Sequence, residues 1–186
     1  MSALLIESST RTPKAALYSR DGSLRSAEGG LAEQVRSLVE DWSGIELFGI
    51  SVGPGSFTGL RVGLSILKGL AFVHPRPVVA VSSLRLWAAS AEERDRAVLP
   101  VLDARRQRVF AGLFAPQTFS PDPALPEAAY TVEDLQQRVD LSDLKVVGDG
   151  AGLLGVEWEG PGLSMQALGR LAFEEERTAR PAADVE

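Results

Sequence analysis

The residues best suited to chemistry fall in three short runs. Glu7-Ser8-Ser9-Thr10 sets a carboxylate and three hydroxyls at the end of an apolar stretch. Gly53-Pro54-Gly55-Ser56-Phe57-Thr58-Gly59-Leu60-Arg61-Val62-Gly63 packs four glycines and a proline between an apolar strand-like run and a helix-like one. Asp103-Ala104-Arg105-Arg106 ends a third apolar run. A glycine-rich turn that feeds a helix N-terminus is suited to hold an anion, because free N–H groups and the helix dipole both point at it. Phosphate cradling is therefore the chemistry to test first.

Both familiar nucleotide patterns are missed. A P-loop needs Gly-Lys followed by Ser or Thr at the helix start, and Gly59-Leu60-Arg61 stands there instead. A dinucleotide fingerprint needs G-x-G-x-x-G, and Gly53, Gly55 and Gly59 carry one residue too many. Glu7-Ser8-Ser9-Thr10 lacks the glycine of a phosphate hairpin. Ala104, Arg105 and Arg106 stand where a hairpin would want Gly and Thr. These are degenerate phosphate hairpins, with Glu7, Ser8, Ser9, Asp103 and Arg105 as their residues, and Gly148-Asp149-Gly150 is either an adenine-loop remnant or an ordinary turn. Two readings of the loop at Gly53, Pro54, Gly55, Ser56, Thr58, Gly59 and Arg61 stay open. It contacts a ligand or partner, with Arg61 free for an anion, or its glycines simply let a helix pack tightly on a sheet. Phe57, apolar among turn residues, suits an exposed anchor.

The elements that must position these runs follow from periodicity. Ala3–Ile6, Ala15–Tyr18 and Ser23–Ala27 read as strands, the last two joined by the hairpin signal Asp21-Gly22. Leu31, Val35, Leu38, Val39 and Trp42 recur at helical spacing over 31–42. Strand 47–52, helix 60–72 ended by Pro75 and Pro77, strand 78–81 and a helix capped by Ser82 or Ser83 follow. Beyond a charged connector, 92–96, a shorter copy is expected: strands 98–103 and 108–114, a Pro-rich loop 115–126, a helix capped by Thr131, strand 145–148, loop 149–162, helix 164–176 and a frayed tail 177–186. The pattern predicts an α/β fold of two lobes, 1–96 and 97–186, each a βββαβα unit with the second reduced. This is the plan of the actin, hexokinase and ribonuclease-H-like group.

Helix 60–72 is apolar around more of its circumference than one buried face needs. Leu60, Leu64, Leu67 and Ala71 form one stripe, while Val62, Ile66, Leu70 and Val73 lie off it. Gly59 and Gly63, four apart, would permit close approach of another helix. Leu31, Val35, Leu38, Phe57, Leu60, Gly63, Leu64, Leu67 and Ala71 are thus expected at a partner or dimer interface.

Composition narrows the classes. The chain has 186 residues, 45 % of them hydrophobic, with a formal net charge of −6. A core is affordable, and a basic footprint for gripping nucleic acid directly is lacking. There is no Cys and a single His, His74, which excludes disulfides, thiolate metal sites and His-based zinc centres. His74 reads as a helix-end residue. The apolar run 3–6 is too short for a signal peptide, and 62–73, interrupted by Lys68, is too short for a membrane span. A cytoplasmic protein with no membrane association is expected.

The run from Gly53 to Gly63, followed by Val81-Ser82-Ser83-Leu84 and by Leu102-Asp103-Ala104-Arg105 with Val109-Phe110, resembles the signature segments of the TsaB (YeaZ) family, in the family's order, across about residues 3–114. Glu7 stands where that family's first strand usually ends in Asp. Ala32-Glu33-Gln34-Val35 stands where many members carry a His, and the family's Pro-x-Tyr-Leu-Arg ending is absent. The resemblance implies a non-catalytic subunit of the bacterial machinery that makes threonylcarbamoyladenosine in tRNA. It implies pairing with the paralogue TsaD, which carries metal and transfers the threonylcarbamoyl group to the adenosine next to the anticodon (position 37). It further implies that the ATPase TsaE joins the pair, that the chain homodimerises when alone, that helices 31–42 and 60–72 meet equivalent helices of the partner, and that tRNA is met only through the complex. No catalytic residue, metal site or tightly bound cofactor is expected in this chain, and ATP or ADP at a subunit boundary is left open. The alternatives are an active ATP-dependent kinase-like enzyme of the same fold and a peptidase acting on the paralogue.

Overall fold

The computed structural model describes residues 1–91, 95–120, 122, 124–158, 160 and 162–185. Residues 92–94 of the expected connector, two prolines of the expected loop 115–126, two residues of the expected loop 149–162 and the last residue of the expected tail lie outside these.

Two sheets form. The first has five strands in the order β3-β2-β1-β4-β5: β1 (Ser2–Glu7), β2 (Lys14–Ser19), β3 (Leu24–Ser26), β4 (Ile45–Ser51) and β5 (Val78–Val81). β1 pairs antiparallel with β2 and parallel with β4, and β4 pairs parallel with β5. The second has four strands in the order β8-β7-β6-β9: β6 (Val98–Asp103), β7 (Arg108–Ala111), β8 (Ala128–Thr131) and β9 (Lys145–Val147). Its β6 pairs antiparallel with β7 and parallel with β9, so the central strand has the same two kinds of neighbour in both sheets. The expected duplication is present, in a four-stranded second copy. β8, which sequence reading leaves unassigned, completes it.

The helices are α1 (Leu31–Leu38), α2 (Phe57–Val73), α3 (Ser83–Ser90), α4 (Val132–Arg138) and α5 (Met165–Glu174). α1 stops four residues short of the expected end, and the chain turns through a short 3-10 segment, Trp42–Gly44, whose Asp41 carboxylate accepts from Ser43 N. α2 starts three residues earlier than expected, because Ser56 Oγ accepts from Gly59 N and caps it. Thr131 caps α4 as expected, accepting from Asp134 N. β1 is buried on both faces and reads as a continuous apolar run.

The chain divides into two compact units, residues 1–83 with 165–186 and residues 84–164. This differs from the expected lobes 1–96 and 97–186. The physical reason is α5, which packs on β1, β2, β4 and β5 of the first sheet. Gly169 lies against the Tyr18 ring, Phe173 lies 5.9 Å from it between ring centroids, and Gly49 lets Ala172 approach β4. Arg20 bridges Glu46 and Glu176 at 2.8 Å each, which fastens the end of α5 to the strands.

The tail is not frayed as expected. Arg180 exchanges both backbone hydrogen bonds with Val78 at 2.8 and 2.9 Å, and Val185 is wholly buried among Leu4, Phe48 and Leu67 of the first core. A β-like bridge and one buried valine give this segment the anchors that its sequence pattern conceals. Among the described residues no helix is long and apolar enough to cross a membrane.

Candidate interaction site around the second helix

β4 ends at Ser51 and feeds residues 52–56 into α2. The turn is fastened at Gly53, whose N–H donates to Ser83 Oγ at 3.1 Å while its carbonyl accepts from Ser83 N at 2.8 Å. The Val81-Ser82-Ser83 segment is therefore the brace of the glycine turn. Gly53 has φ +103, a conformation open to glycine and strained for other residues. Pro54 is half-buried, and Gly55, Ser56 and Thr58 are exposed.

Three glycines of the signature, Gly55, Gly59 and Gly63, face the turn after β1. A Cβ on Gly55 would sit 2.5 Å from Ser9 O, one on Gly59 2.1 Å from Ser8 O, and one on Gly63 2.1 Å from Ser8 Oγ. Ser56 N donates to Ser9 O at 2.7 Å. These residues form a track on which Ser8 and Ser9 lie. Of the two readings, the packing one accounts for the glycines: the close approach they permit is by the chain's own 8–9 segment, not by a second helix.

Glu7 is buried at the end of β1. Its Oε1 accepts from Ser9 N at 2.7 Å, Ser9 Oγ at 2.5 Å and Ser51 Oγ at 3.3 Å, and its Oε2 accepts from Thr10 Oγ1 at 3.0 Å. A buried carboxylate needs such donors, since desolvation without them is costly. Ser9 and Thr10, expected as hairpin hydroxyls, are thus turned onto their own strand-end acid. Ser8 Oγ is buried without a hydrogen-bond partner among the described residues.

The second hairpin closes on itself in the same way. Asp103 accepts from Arg105 N at 2.7 Å and from Arg105 Nη1 at 3.1 Å, and its own N–H donates to Asp149 Oδ1. Arg105, Arg106 and Gln107 all have positive φ, +67, +53 and +59, where a Cβ is crowded. Gly148 and Gly150 pack on the β6 backbone, a Cβ at Gly148 falling 2.5 Å from Val101 O. Gly148-Asp149-Gly150 is therefore a packed turn that holds β6.

α2 carries four of the exposed large apolar residues described in the first unit. Of its seventeen residues only Gly63 and Leu67 are buried. Phe57 is 73 % exposed, Val62 48 %, Phe72 89 % and Val73 67 %. Leu60, Leu64, Ile66, Leu70 and Ala71 are half-buried. Arg61 is exposed, with its guanidinium over the Phe57 ring at 5.1 Å from the centroid. At the other end His74 stacks on Trp42, with 4.1 Å between centroids and 6° between planes. Single exposed apolar residues need no explanation, but four large ones on one helix do.

Five expected interface residues are corrected. Leu31, Val35, Leu38 and Leu67 are buried in the core of their own unit, and Gly63 is buried against Ser8. α1 has one apolar face and spends it on β2 and β3, and Leu67 points inward from the middle of α2. Sequence reading passed over Gln34, which is buried on that same face. Its Oε1 accepts from Ala15 N at 2.7 Å and its Nε2 donates to Gly29 O at 2.8 Å. A polar residue in register with Leu31, Val35 and Leu38 was the available signal. Phe72, noted only as a helix end, is the most exposed aromatic residue of the helix.

The comparisons with known proteins agree with this architecture. A family model described as TsaD, tRNA N6-adenosine threonylcarbamoyltransferase, matches residues 36–147. The tRNA threonylcarbamoyladenosine biosynthesis protein TsaB of Bacillus subtilis is 33 % identical over 98 residues, which is 53 % of this chain and 43 % of that protein. Solved YeaZ from Pseudomonas aeruginosa superposes with a TM-score of 0.81 at 26 % identity, over 99 % of this chain and 97 % of that one. The chain belongs to the TsaB/YeaZ family. The TsaB protein of Haemophilus influenzae is 47 % identical over 60 residues, 31 % of this chain and 25 % of that one. The matched stretches span less than half the length of these curated relatives. The TsaB/YeaZ fold is the TsaD-like, actin-type α/β plan expected from the element order.

Proposed function

We propose that this chain is a non-catalytic scaffold in tRNA threonylcarbamoyladenosine biosynthesis and that α2 is its docking face for the paralogue TsaD. The observation that carries the reading is the exposure of Phe57, Val62, Phe72 and Val73 along one helix. Apolar area of that kind, with half-buried Leu60 and Leu64 beside it, fits a partner better than water. The names of the relatives supply the pathway. The self-closed hairpins supply the non-catalytic part, since Glu7 and Asp103 are both engaged by neighbouring residues. TsaD would carry out the transfer to adenosine 37, and TsaE would join the pair. In its absence α2 would meet a second copy of this chain. Any ATP or ADP would sit at the boundary with a partner, and tRNA would be met through the complex.

The test is co-expression with the paralogue of the same organism, with the mass of the complex read by light scattering and the modified nucleoside read by mass spectrometry. Val62→Glu and Phe57→Glu should each abolish the heterodimer and the product while circular dichroism stays native. Intact complex and product in both variants would refute the docking face, and turnover of Mg-ATP by the lone chain would refute the non-catalytic role.

A further inference from the structure

A second feature of the first unit is a groove of about 680 Å³ between the last turns of α2 and the tail segment 179–183. Its apolar lining includes Ala71, Pro77 and Ala182, and its cations are Lys68, Arg76 and Arg180. The volume is that of a site for a small ligand or a few peptide side chains. None of the three cations pairs with a carboxylate among the described residues. Arg76 donates to the carbonyls of Ile45, Pro75 and Trp42, which fixes its guanidinium without neutralising it. Arg180 is held in place by its backbone bridge to Val78. Three uncompensated cations around an apolar floor run against the charge of a chain whose net is −6.

We propose that this groove binds a short acidic peptide segment of a partner protein, with an apolar side chain on the Ala71–Ala182 floor and carboxylates against Lys68, Arg76 and Arg180. Charge complementarity selects an anionic occupant, and the apolar floor selects one that also brings hydrocarbon. A nucleic acid fits less well, because the single ring of Phe72 is no platform for successive bases. The site shares Phe72 with the docking face proposed above but not its Phe57–Val62 end, and the titration below uses the lone chain, so its outcome is read separately from pairing with the paralogue.

The probe is a fluorescein-labelled ten-residue peptide with a central Leu-Phe pair flanked by Glu and Asp, titrated with the full chain. Saturable anisotropy with a Kd on the order of 10–100 µM is expected, with amide shifts at Ala71, Arg180 and Ala182. Lys68→Glu and Arg180→Glu should each weaken binding about tenfold, as should replacing the Leu-Phe pair by Ser-Ser. Lys68 is exposed in mid-helix, so Lys68→Glu decides the matter if Arg180→Glu melts the tail. Absence of saturable binding, equal binding by the Ser-Ser peptide, unchanged affinity in Lys68→Glu, or tighter binding of a labelled twelve-nucleotide oligouridylate would each overturn the proposal.

Discussion

α1 and α2 look alike as sequences and behave differently in the fold. Both carry leucines and valines at helical spacing. α1 has eight residues and buries four of them, Leu31, Gln34, Val35 and Leu38. α2 is twice as long and buries two. A helix with one apolar stripe is satisfied by its own sheet. A helix that is apolar nearly all round cannot be, because a sheet covers only one side of it. What marks α2 is therefore the apolar residues off the stripe, not the stripe itself.

The sharpest way to break this contrast is Leu67→Glu. A charge in the one fully covered leucine of α2 should cost about 4 kcal/mol or more and leave the first unit unfolded at 37 °C. A melting curve within a few degrees of the parent would show that α2 is not seated as described. Gly63→Ala should cost about 1–3 kcal/mol by pushing Ser8 off its track. Combining it with Ser8→Gly should restore part of that loss, because the two sites share one contact. Additive losses in the denaturant midpoint would mean that the glycine matters for some other reason. The smallest effect belongs to the outer face. Phe72→Ser and Val73→Ser should change stability by no more than about 0.5 kcal/mol. A larger loss in the lone chain would mean that this face is covered within the monomer.

Most of the fold was legible because its signals are local. The Asp21-Gly22 turn, the buried run Ala3–Ile6 and the Thr131 cap each announce themselves within a few residues. β8 was not legible, since Ala128 and Ala129 are exposed and only Tyr130 of the strand is buried. Its pairing with β7 is a non-local fact. Leu31, Val35 and Leu38 were assigned to an interface for a similar reason: an apolar stripe has the same spelling whether it faces its own sheet or another chain. Gly59 and Gly63 were read as room for another helix, and spacing alone could not say that the approaching group is Ser8. The groove was invisible, because it is made by a tail segment anchored by a backbone bridge and by Val185, neither of which its sequence pattern announces.

α5 has a consequence for how this protein is born. The helix that roofs the first sheet is encoded some eighty residues after it, beyond the whole of the second unit. While the ribosome is still translating, Tyr18 and Gly49 therefore wait with one side of their sheet bare. The inserted unit, 84–164, is contiguous and can close before the unit that brackets it. Maturation of the N-terminal half is thereby postponed until Met165–Glu174 have been added to the chain.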